Sequence, residues 1–159
     1  MNMMYLDRNL EICAKYHIDK HCNKLIVECA QCLSSAHWET GGWAPYRKTH
    51  VNHPTNVWCR TSVSNYRWAV DYGFALCNEF TYRFNKIHKT ESVLKWLKKH
   101  EPNIPDLGLT EFYQAMPEKY KQHDPVEAYR HYYKFDKKTD KNGKDMCKYT
   151  KREIPFFML

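Results

Sequence analysis

The stretch Ile18-Asp-Lys-His-Cys22-Asn-Lys-Leu25-Ile-Val-Glu-Cys29-Ala-Gln-Cys-Leu33-Ser-Ser-Ala36 decides the fold class of this chain. Its apolar residues recur every three or four positions, which is the period of a helix with one buried face. Neither Gly nor Pro occurs between Asp7, a suitable N-cap, and Gly41. We therefore predict one long helix from Asp7 to about His37.

Working outward, a second long helix is predicted from Pro54 to about Phe84, because proline is favoured in a first helical turn and Gly73 alone weakens the pattern. Shorter helices are expected at about Glu91–His100, Thr110–Ala115 and Asp124–Phe135. Five glycines in 159 residues leave little room for a turn-rich β architecture. The sequence thus indicates an all-α protein with two long helices, two or three shorter ones and long basic connections.

The chain is expected to form a single compact domain. Residues 1–135 carry the helical pattern, whereas residues 136–145 are charged and almost free of apolar side chains. The last residues, Ile154-Pro-Phe-Phe-Met-Leu159, are apolar again. We interpret residues 136–159 as a solvated excursion followed by a segment that docks on the same domain.

Composition and charge exclude several classes of protein. Hydrophobic residues make up 43% and aromatics 15%, which is unlike a disordered chain. No apolar run reaches the ~18 residues of a membrane span, so we expect no membrane contact. A net charge of +7 favours an acidic partner, with nucleic acid as the first candidate.

The seven cysteines favour a reducing compartment. The N-terminus lacks the apolar run of a signal peptide, so we expect reduced thiols in a cytoplasmic protein. Cys29-Ala-Gln-Cys32 has no second pair at zinc-ribbon spacing and lies inside a helical pattern. Both cysteines are therefore expected to be buried small side chains, and we expect neither a metal nor a cofactor.

A column of polar side chains runs along the first helix: His17, His21, Lys24, Glu28, Gln31 and Ser35. It is either a solvated face or the wall of a site. In a site, histidine could transfer protons and a lysine beside other cations could act as a nucleophilic amine. His17 and His21 also have the i,i+4 spacing of a metal pair, although Lys20 and Lys24 would oppose a divalent cation.

Three further segments combine cations with polar or aromatic groups. The connection Arg47-Lys48-Thr-His50-Val-Asn52-His53 precedes a helix N-terminus, which is a favourable place for an anion; the alternative is a capping loop. The stripe of Trp58, Asn65 and Trp68 suits stacked bases, or is simply core. The segment from Arg83 to Lys89 either contacts phosphates or offsets the helix dipole. The segment Tyr129–Lys134 mixes tyrosines with cations. It either contacts a nucleic-acid backbone or packs as an ordinary aromatic helix.

Over roughly residues 4–135 the chain resembles a family of small proteins from tailed bacteriophages. The resemblance rests on His17-x-x-Lys20-His21-x-x-Lys24, Thr49-His-x-Asn-His-Pro54, Asn65-Tyr-x-Trp68, Cys77-x-Glu79-x-Thr-x-Arg83, Lys86-x-His88-Lys89 and Met116-Pro-x-x-Tyr120-Lys121. It implies a source, the cytoplasm of an infected bacterium, rather than an activity.

A fainter resemblance links the chain to the phage-type pyrimidine-dimer DNA glycosylases, which are small, basic and all-α. His17 matches the histidine of their first helix, His53-Pro54 their connection and Tyr129–Lys134 their aromatic end. Those enzymes place a catalytic Glu seven residues after the histidine, where this chain has Lys24. They attack with the α-amine that removal of Met1 exposes, and Asn2 is too large for efficient removal. If the fold is shared, the resemblance implies that the chemistry differs or that Lys24 supplies the amine.

These observations favour a phage enzyme that cleaves a glycosidic or phosphoester bond in DNA or a nucleotide. The expected catalytic residues are His17, His21, Lys24, His50 and His53. The expected phosphate- or nucleic-acid-binding residues are Lys20, Arg47, Lys48, Asn52, Arg60, Asn65, Arg83, Lys86, His88 and Lys89, with Trp58 and Trp68 stacking on a base. The alternatives are a non-catalytic protein that binds a host protein or a nucleotide signal, and a metal-dependent hydrolase that uses His17, His21 and His50 or His53.

Overall fold

The computed structural model describes residues 2–159, whose regular secondary structure is helical. The helices are α1 (Leu10–Lys15), α2 (Asp19–Glu39), α3 (Pro54–Thr61), α4 (Val63–Phe84), α5 (Glu91–Lys99) and α6 (Pro125–Tyr132). A π-helical turn at Tyr133–Lys137 continues α6, and 3-10 turns lie at Glu118–Tyr120 and Phe156–Met158. Within the described residues, β pairing is limited to one bridge between Thr139 and Asp145. The all-α prediction is confirmed.

The centre of the core is the contact between α2 and α4, with α1, α3 and α5 packed around it. The apolar residues that repeat at helical spacing between Ile18 and Ala36 are buried, namely Ile18, Cys22, Leu25, Cys29, Leu33 and Ala36. Gly73 lies at the crossing, where an added Cβ would come within 3.0 Å of Leu94 and 3.3 Å of the sulfur of Cys29. A larger residue would therefore push α4 away from α2 and α5. Cys29 and Cys32 are buried free thiols, as expected.

The predicted first helix is wrong in two respects: it begins later than Asp7, and the chain leaves the helix between α1 and α2. Asn9, not Asp7, caps α1 by accepting from the N–H of Ile12 at 3.1 Å. At the break, the guanidinium of Arg83 donates to the carbonyls of Lys15 at 2.9 Å and His17 at 2.7 Å. At the break, these two carbonyls therefore accept hydrogen bonds from a residue far along the chain instead of from the backbone of a continuous helix.

The predicted second helix also breaks, at Ser62, whose backbone is extended. The N–H of Val63 donates to the carbonyl of Pro105 at 2.9 Å, and the Ser62 hydroxyl accepts from the N–H of Leu107 at 3.0 Å. The loop around Pro105 thus satisfies the backbone at the break. The helix predicted from Thr110 to Ala115 is absent: this segment has no regular secondary structure, and Thr110 and Glu111 are hydrogen-bonded to α4 and α3.

The remaining helices follow the prediction closely. α5 ends at Lys99, and Asp124 caps α6 by accepting from the N–H of Val126 at 2.9 Å, with Pro125 in the first turn.

Residues 148–152 are tied to the helices by polar contacts. The carboxylate of Asp19 accepts from the hydroxyl of Thr150 at 2.6 Å. The backbone N–H of Asp19 donates to the carbonyl of Lys148 at 2.8 Å. Arg152 donates to both oxygens of Glu79 at 2.8 and 3.0 Å, and Met158 is buried.

No helix in residues 2–159 is long and apolar enough to cross a membrane.

Candidate functional site

A small cavity, here called the Glu28 pocket, lies where α2 meets the N-terminal segment, the start of α3 and the end of α6. Its volume is about 220 Å³. The lining residues are Asn2, Met4, His21, Lys24, Leu25, Glu28, His53, Ala115, Tyr132 and Lys137. The helical spacing of His21, Lys24 and Glu28 places all three on the face of α2 that points into it. Several groups able to perform chemistry converge in this pocket.

An amine and a carboxylate meet in this pocket. Nζ of Lys24 lies 3.5 Å from Oε1 of Glu28, one turn along α2. The Lys24 side chain is 60% exposed and that of Glu28 14% exposed. Oε2 of Glu28 accepts from the backbone N–H of Asn2 at 3.3 Å. The carboxylate is therefore held in place at the pocket wall, while the amine remains accessible beside it.

His21 is held in one neutral form. The hydroxyl of Tyr133 accepts from the N–H of Ile18 at 2.9 Å, so its own proton is directed to Nδ1 of His21 at 2.8 Å. The proton of neutral His21 then lies on Nε2. Burial above all, together with the electrostatic effects of His17, Lys137, Lys24 and Lys20, lowers the pKa of His21 to about 3. His21 is thus a hydrogen-bond donor near neutral pH rather than a proton-transfer group.

His53 lies at the N-cap of α3. Its Nδ1 accepts from the N–H of Thr55 at 3.2 Å, which leaves the proton of the neutral ring on Nε2. Burial lowers the pKa of His53 below its ordinary value of 6.5. The pocket therefore contains two neutral histidines with an N–H group each, beside the amine and the carboxylate.

The structure places His17 in the core rather than in the pocket, which corrects the expected catalytic and metal-binding roles. Its Nδ1 donates to the carbonyl of Cys13 at 2.7 Å, and its Nε2 accepts from the hydroxyl of Tyr72 at 3.0 Å. Burial lowers the pKa of His17 to about 4. Both ring nitrogens are occupied and the residue is fully buried, so it can neither bind a metal nor touch a substrate.

Asn65 and Trp58 are also structural. The Asn65 amide donates to the carbonyl of Trp58 at 2.9 Å and to the hydroxyl of Thr110 at 2.7 Å, and its oxygen accepts from the N–H of Thr110 at 2.9 Å. Trp58 is buried and donates to the carbonyl of Glu111 at 3.0 Å. Trp68, half-buried, stacks on Tyr72. The aromatic stripe therefore packs within the core, which corrects the expectation that it stacks on a base.

Arg83 is buried in an ion network instead of contacting phosphate. It donates to Glu79 at 2.8 Å and to Asp19 at 3.1 Å, in addition to its two bonds to the α1–α2 break. Arg60 is half-buried on α3 and does not line the Glu28 pocket.

Of the basic connection before α3, only His53 reaches the pocket. Arg47, Lys48, His50 and Asn52 are exposed and lie outside it. Nδ1 of His50 lies 2.7 Å from the hydroxyl of Thr49, and Lys48 pairs with Glu39 at 3.4 Å.

The other expected phosphate-binding residues line a larger cavity of about 780 Å³, here called the Phe84 pocket. It lies between the N-terminal half of α2 and the chain that follows α4. Its lining residues are Asp19, Lys20, Asn23, Phe80, Phe84, Lys86, Ile87, His88, Lys89 and Lys148. His88 is buried against Phe80; its Nδ1 accepts from the N–H of Thr90, so its Nε2 donates to Asn23 at 2.8 Å.

Among the residues of the Glu28 pocket that were missed from the sequence, three carry an amide or a charge. Glu28 appears in the polar column, but its position gave no reason to assign it a role. The tertiary fold brings Asn2 and Lys137 to α2. No spacing in the sequence indicates that these two residues lie near the helix. The α-amine that removal of Met1 would expose is the nitrogen of Asn2, which lies 3.3 Å from Oε2 of Glu28.

Within residues 2–159, no three His, Cys, Asp or Glu side chains are arranged to hold a metal ion. No protein-family model, no curated protein and no solved structure matches the chain.

Proposed function

We propose that the protein cleaves the glycosidic bond of a nucleotide unit, in DNA or as a free nucleotide, with Lys24 as the nucleophilic amine and Glu28 as its proton carrier. The observation that carries this proposal is the 3.5 Å approach of Nζ of Lys24 to Oε1 of Glu28 in the Glu28 pocket. Amines and carboxylates are the groups that covalent and acid–base catalysis of such a bond requires.

The chemistry balances with these two groups alone. The Lys24 ammonium passes a proton to Glu28, and the free amine attacks C1′ of the sugar. The bond from C1′ to the base breaks, and its electron pair leaves with the base, which takes the proton from Glu28. The amine proton then moves to the ring oxygen as the sugar ring opens, and an imine joins Lys24 to C1′. Water hydrolyses this imine and releases the lysine.

The rest of the pocket fits a sugar and its phosphate. At about 220 Å³ it is smaller than the about 300–1,000 Å³ of sites that enclose a drug-sized molecule. The N–H groups of the neutral His21 and His53 suit sugar or phosphate oxygens, and Lys137 adds a positive charge beside them. The net charge of +7 favours approach of a polyanion. A phage source and the cytoplasm of an infected bacterium belong to the same proposal.

The test is an assay of base release and strand cleavage on labelled DNA, UV-irradiated and unirradiated, with and without a chelator. Lys24→Met and Glu28→Gln should each lower the rate by at least about a hundredfold. The control is Lys99→Met, at the exposed end of α5, which should leave the rate unchanged. Wild-type turnover by a folded Lys24→Met variant would overturn the mechanism.

A second candidate is a binding protein without catalysis, which captures a nucleotide signal or a host protein. It is favoured by the burial of His17, Asn65 and Arg83, which leaves fewer chemical groups at the surface than the sequence indicates. It predicts that nucleotides bind in the Glu28 pocket and are recovered intact.

A further inference from the structure

The Phe84 pocket has the composition of a site for an anion with a flat apolar body. Phe84 is half-buried, and its ring centroid lies 5.0 Å from that of the buried Phe80. Ile87 is 72% exposed at the same cavity. Lys20, Lys86 and Lys89 are exposed around this apolar patch. Aromatic rings beside free ammonium groups suit a nucleobase and its phosphates.

Between this pocket and the Glu28 pocket lie two cavities of about 440 Å³ each, which share lining residues with them. The first shares Asp19, Lys20 and Lys148 with the Phe84 pocket. The second shares His21, Lys24 and Lys137 with the Glu28 pocket. Lys20, Asp140 and Met146 line both connecting cavities. The four cavities therefore lie next to one another along α2, and this row of cavities is here called the lysine groove.

In the lysine groove most acidic side chains already have partners, whereas most lysines form no ion pair. Its acidic side chains are largely engaged: Asp19 by Arg83 and Thr150, and Asp140 by the N–H groups of Asn142 and Lys144. Seven of its lysines form no ion pair with a carboxylate within residues 2–159, namely Lys20, Lys86, Lys89, Lys137, Lys141, Lys144 and Lys148. The groove thus offers a line of free cations to a phosphate chain.

We propose that the lysine groove is the path of a single nucleic-acid strand, which stacks one base in the Phe84 pocket while the sugar and phosphate of another nucleotide occupy the Glu28 pocket. The inference rests on the proposed function and names its substrate as a polynucleotide strand. From Asp19 to Glu28 the groove follows α2 for about 14 Å, at about 1.5 Å per residue. A stacked strand carries one phosphate per about 3.4 Å, so about four nucleotides fit. Only an unpaired base can stack inside a pocket, which excludes an intact duplex.

The experiment measures binding of a fluorescent eight-nucleotide oligothymidylate by anisotropy over a range of salt concentrations. Phe84→Leu should weaken binding by about tenfold, because it removes a stacking surface. Lys86→Gln/Lys89→Gln should lower the slope of log affinity against log salt by about 1.4, or about 0.7 for each lost phosphate contact. The matched control, Lys98→Gln/Lys99→Gln on α5, should change neither quantity.

The possible results distinguish failure of the strand path from failure of the proposed function. If Lys24→Gln weakens binding but the Phe84 and Lys86/Lys89 variants bind as the wild type does, the path is overturned and the Glu28 pocket remains the nucleotide site. If the wild type does not bind the oligonucleotide but releases base from thymidine monophosphate, the path is overturned and the proposed function stands. If it does neither, both fail. The lysine variants are at exposed positions, so their result does not depend on how Phe84→Leu folds.

Discussion

The hydroxyl of Tyr133 donates a hydrogen bond to Nδ1 of His21 over 2.8 Å, and 112 residues separate the two in the chain. The same hydroxyl accepts from the N–H of Ile18, at the residue just before α2 begins. One side chain from the π-helical turn after α6 therefore fixes both the start of α2 and the protonated nitrogen of a histidine in the Glu28 pocket.

Tyr133→Phe should destabilise the protein by about 2 kcal/mol, because a buried N–H and a buried ring nitrogen lose their partner. The free energy of unfolding in urea measures this. Tyr82→Phe is the control: Tyr82 is 49% exposed, and its substitution should cost less than about 0.5 kcal/mol. Equal stabilities of the two variants would show that the Tyr133 hydroxyl has no such role.

The free energy of unfolding should decrease as the pH is lowered below 6.5, because His17 is neutral in the core. Its pKa drops from 6.5 to about 4 on burial, so between these values the unfolded chain binds a proton that the folded chain does not. Stability contributed by neutral His17 is thus complete above pH 6.5 and decreases by about 1.4 kcal/mol for each pH unit towards pH 4. His17→Gln should make this decline shallower, whatever its effect at pH 7. An unchanged slope would contradict a neutral buried His17.

Glu79→Gln should be strongly destabilising, by about 3–5 kcal/mol, because it leaves the buried guanidinium of Arg83 without its full counter-charge. Burial alone would raise the pKa of Glu79, but hydrogen bonds from Arg152 and Arg83 lower it overall. The matched control is Glu101→Gln, whose partner Arg67 is exposed, and which should cost less than about 1 kcal/mol. Thermal unfolding of the two variants side by side decides between a structural network and an incidental contact.

Asn65→Ala should cost about 2–3 kcal/mol, because a buried carbonyl, a hydroxyl and an N–H lose their partners together. It should also loosen the segment from Thr110 onwards, which hydrogen exchange can detect at the N–H of Thr110. Asn78→Ala, at an exposed position of α4, should change neither stability nor exchange. If Asn65→Ala lowered substrate binding alone, Asn65 would belong to the site after all.

The sequence predicts the fold class because helical periodicity is a local signal. The apolar spacing from Ile18 to Ala36 and the Asp124-Pro125 start of α6 depend only on neighbouring residues. The two helix breaks were not predictable in this way. They are stabilised by Arg83 and by the loop around Pro105, each more than 40 residues from the break that it satisfies.

The site was predictable only in part, for the same reason. Helical spacing correctly groups His21 and Lys24 with Glu28, since all three line the pocket. It also includes His17, because the pattern does not show that α2 begins after it. A histidine or asparagine at a polar position can equally be a buried group with satisfied hydrogen bonds. Asn65 and His17 are of this kind, and tertiary contacts alone distinguish them from site residues.

The most direct test of the central claim is to trap the intermediate on Lys24. The protein is incubated with labelled DNA, UV-irradiated or unirradiated, in the presence of borohydride, which reduces an imine to a stable amine. The covalent product is then digested and mapped by mass spectrometry. We expect a single sugar adduct on the peptide that contains Lys24, and its loss in Lys24→Met. An adduct at another residue, or cleavage of the DNA without any trapped product, would contradict it.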